Sequence, residues 1–150
     1  MTQRSHFNSG LTFDPALAAK TVSSFGHNGA IGARYIAHGE DWVELALDYR
    51  AELVGDEETG VLASGPIIAL MDMATSLATW VRRGRFEPQA TLDLRIDYLR
   101  AAVPERTVIG HGECYRLTRR IAFVRGIAHD GDPEDPIAHV AGTFMMTDAA

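Results

Sequence analysis

One stretch limits what this chain can fold into more than any other: "ASGPIIALMDMATSLATW", residues 63–80. Ser64, Gly65 and Pro66 form a helix start, because Pro fits the first turn, where backbone donors have no partner. Beyond them Ile67, Ile68, Leu70, Met71, Met73, Ala74, Leu77, Ala78, Trp80 and Val81 occupy nearly every angle around the axis. A helix over about residues 65–83 is therefore buried on most sides, and the rest of the chain has to supply what covers it. Asp72 is the one acid in the run, and a carboxylate in apolar surroundings needs a partner or a task.

The remaining sequence offers mostly strand. "DWVELALDYR" alternates, with Val43, Leu45, Leu47 and Tyr49 on one face, and pairs as a hairpin with "GAIGARYIAHGE" through a connection near residues 38–41. "ATLDLRIDYL" sets Leu92, Leu94, Ile96 and Tyr98 against Asp93, Arg95 and Asp97. "RTVIGHGECYRL", "RIAFVRGIAH" and "PIAHVAGTFMM" follow. Tight connections between these four segments predict an antiparallel meander. Ahead of the first hairpin, Asp14 as N-cap, Pro15 and a terminating Gly26 mark a short helix at about residues 14–25, and "AELVGDEETGVLASG" reads as a loop. One curved antiparallel sheet wrapped around one central helix, an α+β architecture, follows from the layer rule. At 150 residues the chain, 1–150, fits a single domain.

Composition narrows the function classes. A net charge of −6 without a basic run argues against nucleic acid. The lone Cys114 cannot form an internal disulfide, and "MTQRSHFNSG" lacks an apolar signal core, so the expected location is cytoplasmic. The longest apolar run is broken by Asp72 and followed by "RRGR", which speaks against a membrane span. His6, His27, His38, His111, His129 and His139 are scattered without ligand spacing, so no metal is expected.

This order of elements resembles the hotdog-fold acyl-CoA thioesterases, most closely the phenylacetate-degradation (PaaI-like) branch. The family carries a His-Gly-Gly turn and an Asp or Glu on the helix nine positions after that His; counting back from Asp72 places Ala63, Ser64 and Gly65 at the turn. "TLDLRIDYLRAA" resembles the family strand that opens on a hydroxyl residue, and "AHVAGTFMM" its closing strand. The likeness covers roughly residues 30 to 147.

Thioester hydrolysis needs hydrogen-bond donors where the carbonyl oxygen gains charge, and a carboxylate to attack or to activate water. The helix start offers the amides of Ser64, Gly65 and Ile67, with Ser64 also a candidate N-cap, and the resemblance points to the Ser64 amide as oxyanion donor. Asp72 follows Ser64 by eight residues, about 12 Å along the helix, too far for both to act on one carbonyl. Two such helices packed antiparallel about a two-fold axis would bring one helix start beside the other's acid, which predicts a homodimer, or a dimer of dimers, with shared sites.

Ser76, one turn beyond Asp72, and Thr91 match family positions that support the acid or the water. Arg119 and Arg120 are candidates for the coenzyme A phosphates. No cofactor is implied beyond coenzyme A as part of the acyl-CoA substrate, with a small aryl or medium-chain acyl group. Two positions depart from the family: its His is Ala63 here, and an Asn or Gln fifteen residues before the acid falls at Glu57, which accepts but cannot donate. The alternatives are a non-catalytic acyl-CoA binder and a hotdog hydratase or dehydratase; the second needs a His near the helix start, where none stands.

Overall fold

The computed structural model describes residues 12–147. The opening stretch read above for a signal sequence, with His6, lies outside them. Helix α1 (Pro15–Ser23) is capped by the Asp14 carboxylate, which accepts from the Leu17 amide at 3.1 Å. Gly26 breaks it with a left-handed φ of 62°, but a second short helix, α2 (Gly26–Ile31), follows at once. The expected first strand therefore starts late. Strand β1 (Ala33–His38) begins only after Gly32, at φ 75°, has ended α2.

Strand β2 (Trp42–Leu47) pairs antiparallel with β1. The expected loop that follows is more ordered than its composition suggests. A 3-10 turn (Ala51–Leu53) leads into a small ribbon of β3 (Val54–Asp56) and β4 (Val61–Leu62), closed by the Tyr49 hydroxyl donating to the Gly60 carbonyl at 3.0 Å. The ribbon delivers the chain to α3 (Ser64–Arg83). The Ala63 amide donates to the Leu53 carbonyl at 2.9 Å, and Gly55 lies so near that a Cβ there would come within 2.9 Å of the Ala63 Cα.

Strands β5 (Gln89–Tyr98), β6 (Val108–Leu117), β7 (Ile121–His129) and β8 (Ala138–Met146) complete one six-stranded antiparallel sheet in the order β1-β2-β6-β7-β8-β5. The meander holds only for β6, β7 and β8. Strand β5 pairs with β8 rather than β6, because the chain leaving β5 crosses the sheet to place β6 beside β2. Helix α3 lies in the sheet's concave face, against β6, β2 and β7. Ile67, Leu70, Met71, Met73, Ala74, Leu77 and Ala78 are buried against Val43, Leu45, Leu47, Val108, Val124 and Phe144. At about 2 kcal/mol for each large apolar side chain removed from water, this layer is the main source of stability.

Two β6 positions set how closely helix and sheet approach. A Cβ at Gly112 would lie 2.6 Å from the Ala74 carbonyl carbon and the Thr75 nitrogen, and one at Gly110 would meet Leu70 and Met71 at 3.0 Å. The helix backbone rests on the strand because nothing projects there.

Strand β5 departs from its sequence pattern. Strict alternation put Leu92, Leu94, Ile96 and Tyr98 on one core face, but Leu92 is 53% and Tyr98 43% exposed, while Leu94 and Ile96 pack on the core. The register shifts between Thr91 and Asp93: Thr91 opposes Phe144 and Asp93 opposes Thr143, so Leu92 is an extra, unpaired residue. This β-bulge reverses the facing of the strand. Ahead of it the odd residues Gln89 and Thr91 face α3; after it the even ones do.

Candidate active site

Asp72 is half-buried in the middle of α3. The Thr91 hydroxyl donates to its Oδ1 at 3.0 Å, and no hydrogen bond from another described residue reaches Oδ2. One oxygen is thus oriented by the protein and the other is left to accept from outside. One turn on, Ser76 sits on the same helix face. Its oxygen accepts from Gln89 Nε2 at 2.7 Å, and the same amide nitrogen donates to the Ser76 carbonyl at 2.9 Å. Thus Asp72, Ser76 and Thr91 come together as read from the sequence, and Gln89 joins them unannounced. The usable signal was position: two residues before Thr91 on one strand is the same face.

The helix start differs from the sequence reading in two details. The N-cap is Ala63, at φ −60° and ψ 151°, and Ser64 is the first helical residue, so Ser64 does not cap. The Ile67 amide lies four residues after Ala63 and belongs to the first intrahelical bond, which removes it from the candidate donors. Pro66 has no N–H, and the Ala63 amide is spoken for by Leu53. The amides of Ser64 and Gly65 remain, on exposed residues, with no described group accepting from either. No side chain caps this end and its first turn holds no acid, so the positive end of the helix faces outward uncompensated. The Tyr98 hydroxyl donates to the Ser64 carbonyl at 3.1 Å, pinning the turn from β5; burial pushes the Tyr98 phenol up, which keeps its proton in place.

Two sequence candidates stand away from this group. Glu57 lies exposed at the tip of the β3–β4 ribbon, where Asp56 accepts from the Glu58 amide and the Thr59 hydroxyl. Arg119 and Arg120 occupy the β6–β7 turn beside the other end of α3, held through Arg83 donating to the Arg119 carbonyl at 3.1 Å and the Met146 amide donating to that of Arg120 at 2.8 Å. On the opposite, outer face of the sheet, His111 stacks on Trp42 and pairs with Glu44 at 3.1 Å. Among the described residues no three His, Cys, Asp or Glu side chains converge where a metal ion would fit, and no helix is long and apolar enough to cross a membrane.

A six-stranded antiparallel sheet packed against one long central helix is the hotdog arrangement. The family model described as "Thioesterase superfamily" matches residues 59–137, and the chain belongs to that superfamily. The medium/long-chain acyl-CoA thioesterase YigI of Escherichia coli strain K12 is 26% identical over 132 residues, spanning 79% of this chain and 84% of YigI. A Pseudomonas aeruginosa protein of known structure is 38% identical, with a TM-score of 0.81 over 89% of this chain and 100% of that one. The phenylacetic acid degradation protein PaaI from Thermus thermophilus, solved as a mutant, is 26% identical, with a TM-score of 0.68 over 79% of this chain and 96% of its own.

Proposed function

We propose that the protein hydrolyses an acyl-CoA thioester carrying a small aryl or medium-chain acyl group. The observation that carries this reading is Asp72, gripped at Oδ1 by Thr91 and open at Oδ2, on the helix whose N-terminal amides are unclaimed. In the proposed reaction Asp72 takes a proton from water as the water oxygen adds to the thioester carbon. The carbonyl oxygen becomes an oxyanion held by the Ser64 amide, with Gly65 beside it. Collapse breaks the C–S bond, and coenzyme A leaves as a thiolate that recovers the proton from Asp72. No group beyond the substrate and water is required.

Amide and acid belong to different protomers in this reading, since the eight residues between them span about 12 Å of one helix. Support for a homodimer comes from the free edge of β5 and the neighbouring helix face, where Leu92, Tyr98, Leu99, Val103 and Ile68 are all 39% exposed or more. Pairing two such edges would cover them and set the two α3 helices side by side. Arg119 then serves the phosphates at the far end of coenzyme A, its backbone held by Arg83 and its guanidinium at the surface. A cytoplasmic location fits a substrate class made and consumed there.

The test is free-thiol release from a panel of aryl- and alkyl-CoA thioesters by the native protein and by Asp72→Asn. The expected result is turnover of at least one substrate, reduced a hundredfold or more in the mutant. Binding of acyl-CoA without thiol release above the mutant's level overturns hydrolysis in favour of a binding protein. After one turnover in 18O-labelled water, label in the Asp72 carboxylate marks a nucleophile whose mixed anhydride is opened at the aspartyl carbon, whereas a general base puts the label in the product acid and leaves Asp72 unlabelled.

A further inference from the structure

Gln89 was no candidate from sequence, and neither the amide turn nor the acid requires it. Its carboxamide nevertheless makes two bonds to a single residue of the site, to the Ser76 carbonyl at 2.9 Å and to the Ser76 hydroxyl oxygen at 2.7 Å. A carbonyl only accepts, so the nitrogen of Gln89 has to face Ser76 and its Oε1 has to point away. That oxygen is buried without a partner among the described residues, a standing cost that some gain elsewhere has to offset.

The neighbouring hydroxyls of α3 show what Ser76 would do unaided. Thr75 donates to the Met71 carbonyl at 2.8 Å and Thr79 to the Thr75 carbonyl at 3.3 Å, the usual back-bonding of a helical hydroxyl. No such bond is made by Ser76. With Gln89 donating to its oxygen, the Ser76 proton is left without an acceptor among the described residues, one turn from the open Oδ2 of Asp72. The bulge at Leu92 sets up this geometry, since it turns Gln89 and Thr91 together toward the helix: Thr91 reaches Asp72 and Gln89 reaches Ser76.

We infer that Gln89 is a positioning residue: by occupying the acceptor side of Ser76 it fixes the serine as a donor toward the water that Asp72 activates. The water then has a proton acceptor in Asp72 and an oriented donor in Ser76, which aligns its lone pair on the thioester carbon. This rests on the hydrolase reading above.

The experiment uses the full chain with Gln89→Glu and Gln89→Met, each alone and combined with Ser76→Ala, on the best substrate of the panel. A carboxylate at 89 can only accept, so it draws the serine proton to itself and reverses the hydrogen bond; Met keeps the length and removes both bonds. The expected result is a roughly ten- to hundredfold fall in kcat for both variants, with KM within about threefold. In the Ser76→Ala background neither substitution costs anything further. The Gln89→Glu deficit relative to native also narrows as pH falls and the new carboxyl regains a proton to donate. A native-like kcat in both variants, or an equal loss with and without the serine hydroxyl, overturns the inference and leaves Gln89 as a tie between β5 and α3. If native protein and Asp72→Asn release thiol equally, hydrolysis by Asp72 itself fails and the inference falls with it.

Discussion

Among the described residues, Asp72 has one carboxylate oxygen bound and one open, and the Ser64 backbone amide has no acceptor. The amide can be removed without touching a side chain contact. Ser64 is the first helical residue, the position that best tolerates proline, and Ala63 already has the extended ψ of 151° that a following proline requires. Ser64→Pro is therefore expected to fold with a melting temperature near native and to lose roughly a hundredfold or more in kcat, the cost of one oxyanion donor. Circular dichroism melts beside thiol release check both halves. An unchanged kcat would move the oxyanion to Gly65. Asp72 stood out as the candidate acid because it interrupts an apolar helix. Gln89 was not legible, because a polar residue at the head of a strand looks the same whether it faces solvent or a helix.

Among the elements, β5 shows how one inserted residue changes meaning. Its alternating pattern is real, but the bulge at Leu92 divides it, so Thr91 and Leu94 both face inward three positions apart. Side-chain pattern carries no mark of a bulge; the pairing partner does, and β8 lies some 50 residues away in the chain. The β6–α3 contact is a second property of elements. Gly112→Ala would drive a methyl group into the helix backbone at 2.6 Å, and because backbone cannot step aside as a side chain can, we expect a loss of about 3 kcal/mol, the upper end for overpacking. Urea titration measures it; a loss below about 1 kcal/mol would mean that α3 slides freely on the sheet. Since Asp72 rides on that helix, activity is expected to fall further than the folded fraction alone predicts.

Over the whole molecule, charge and assembly set the behaviour. Asp130 is buried at the end of β7 and accepts from Arg100 at 2.6 and 3.0 Å and from the Val103 amide at 2.7 Å. The Arg100 guanidinium, helped by that amide and opposed by burial, holds the Asp130 carboxyl down at about 2. The folded state thus binds fewer protons than the unfolded chain between about pH 4 and pH 2. The stability this group contributes is complete above pH 4 and is lost as pH falls toward 2. Asp130→Asn is expected to flatten that part of the acid unfolding curve while costing about 2–3 kcal/mol at neutral pH, less than a fully buried pair because the Arg100 side chain is 26% exposed. An unchanged slope below pH 4 would show that the pair persists in the unfolded chain.

The proposed shared site has its own test at this scale. Asp72→Asn and Ser64→Pro, each expected to lose a hundredfold or more alone, are expected to recover about a quarter of native activity when unfolded together and refolded as a mixture. Half of the dimers would then be mixed, each with one intact site. No recovery, with mixed dimers shown by mass spectrometry, would place amide and acid in the same protomer.

The sequence by itself determined most of the apolar interior and that one helix had to be enclosed, because burial of apolar side chains is written in their spacing; Leu92, Tyr98 and Ile68 are the exceptions. It also marked Asp72, Ser76 and Thr91, through a break in that spacing and through family likeness. Tertiary structure alone decided that β5 joins the sheet beyond β8, that "AELVGDEETGVLASG" folds into a ribbon braced on Ala63, that Ala63 rather than Ser64 caps α3, and that Gln89 bonds Ser76. Each of these depends on backbone hydrogen bonds or contacts between segments distant in the chain, whose energies are shared by partners that no local window of sequence contains.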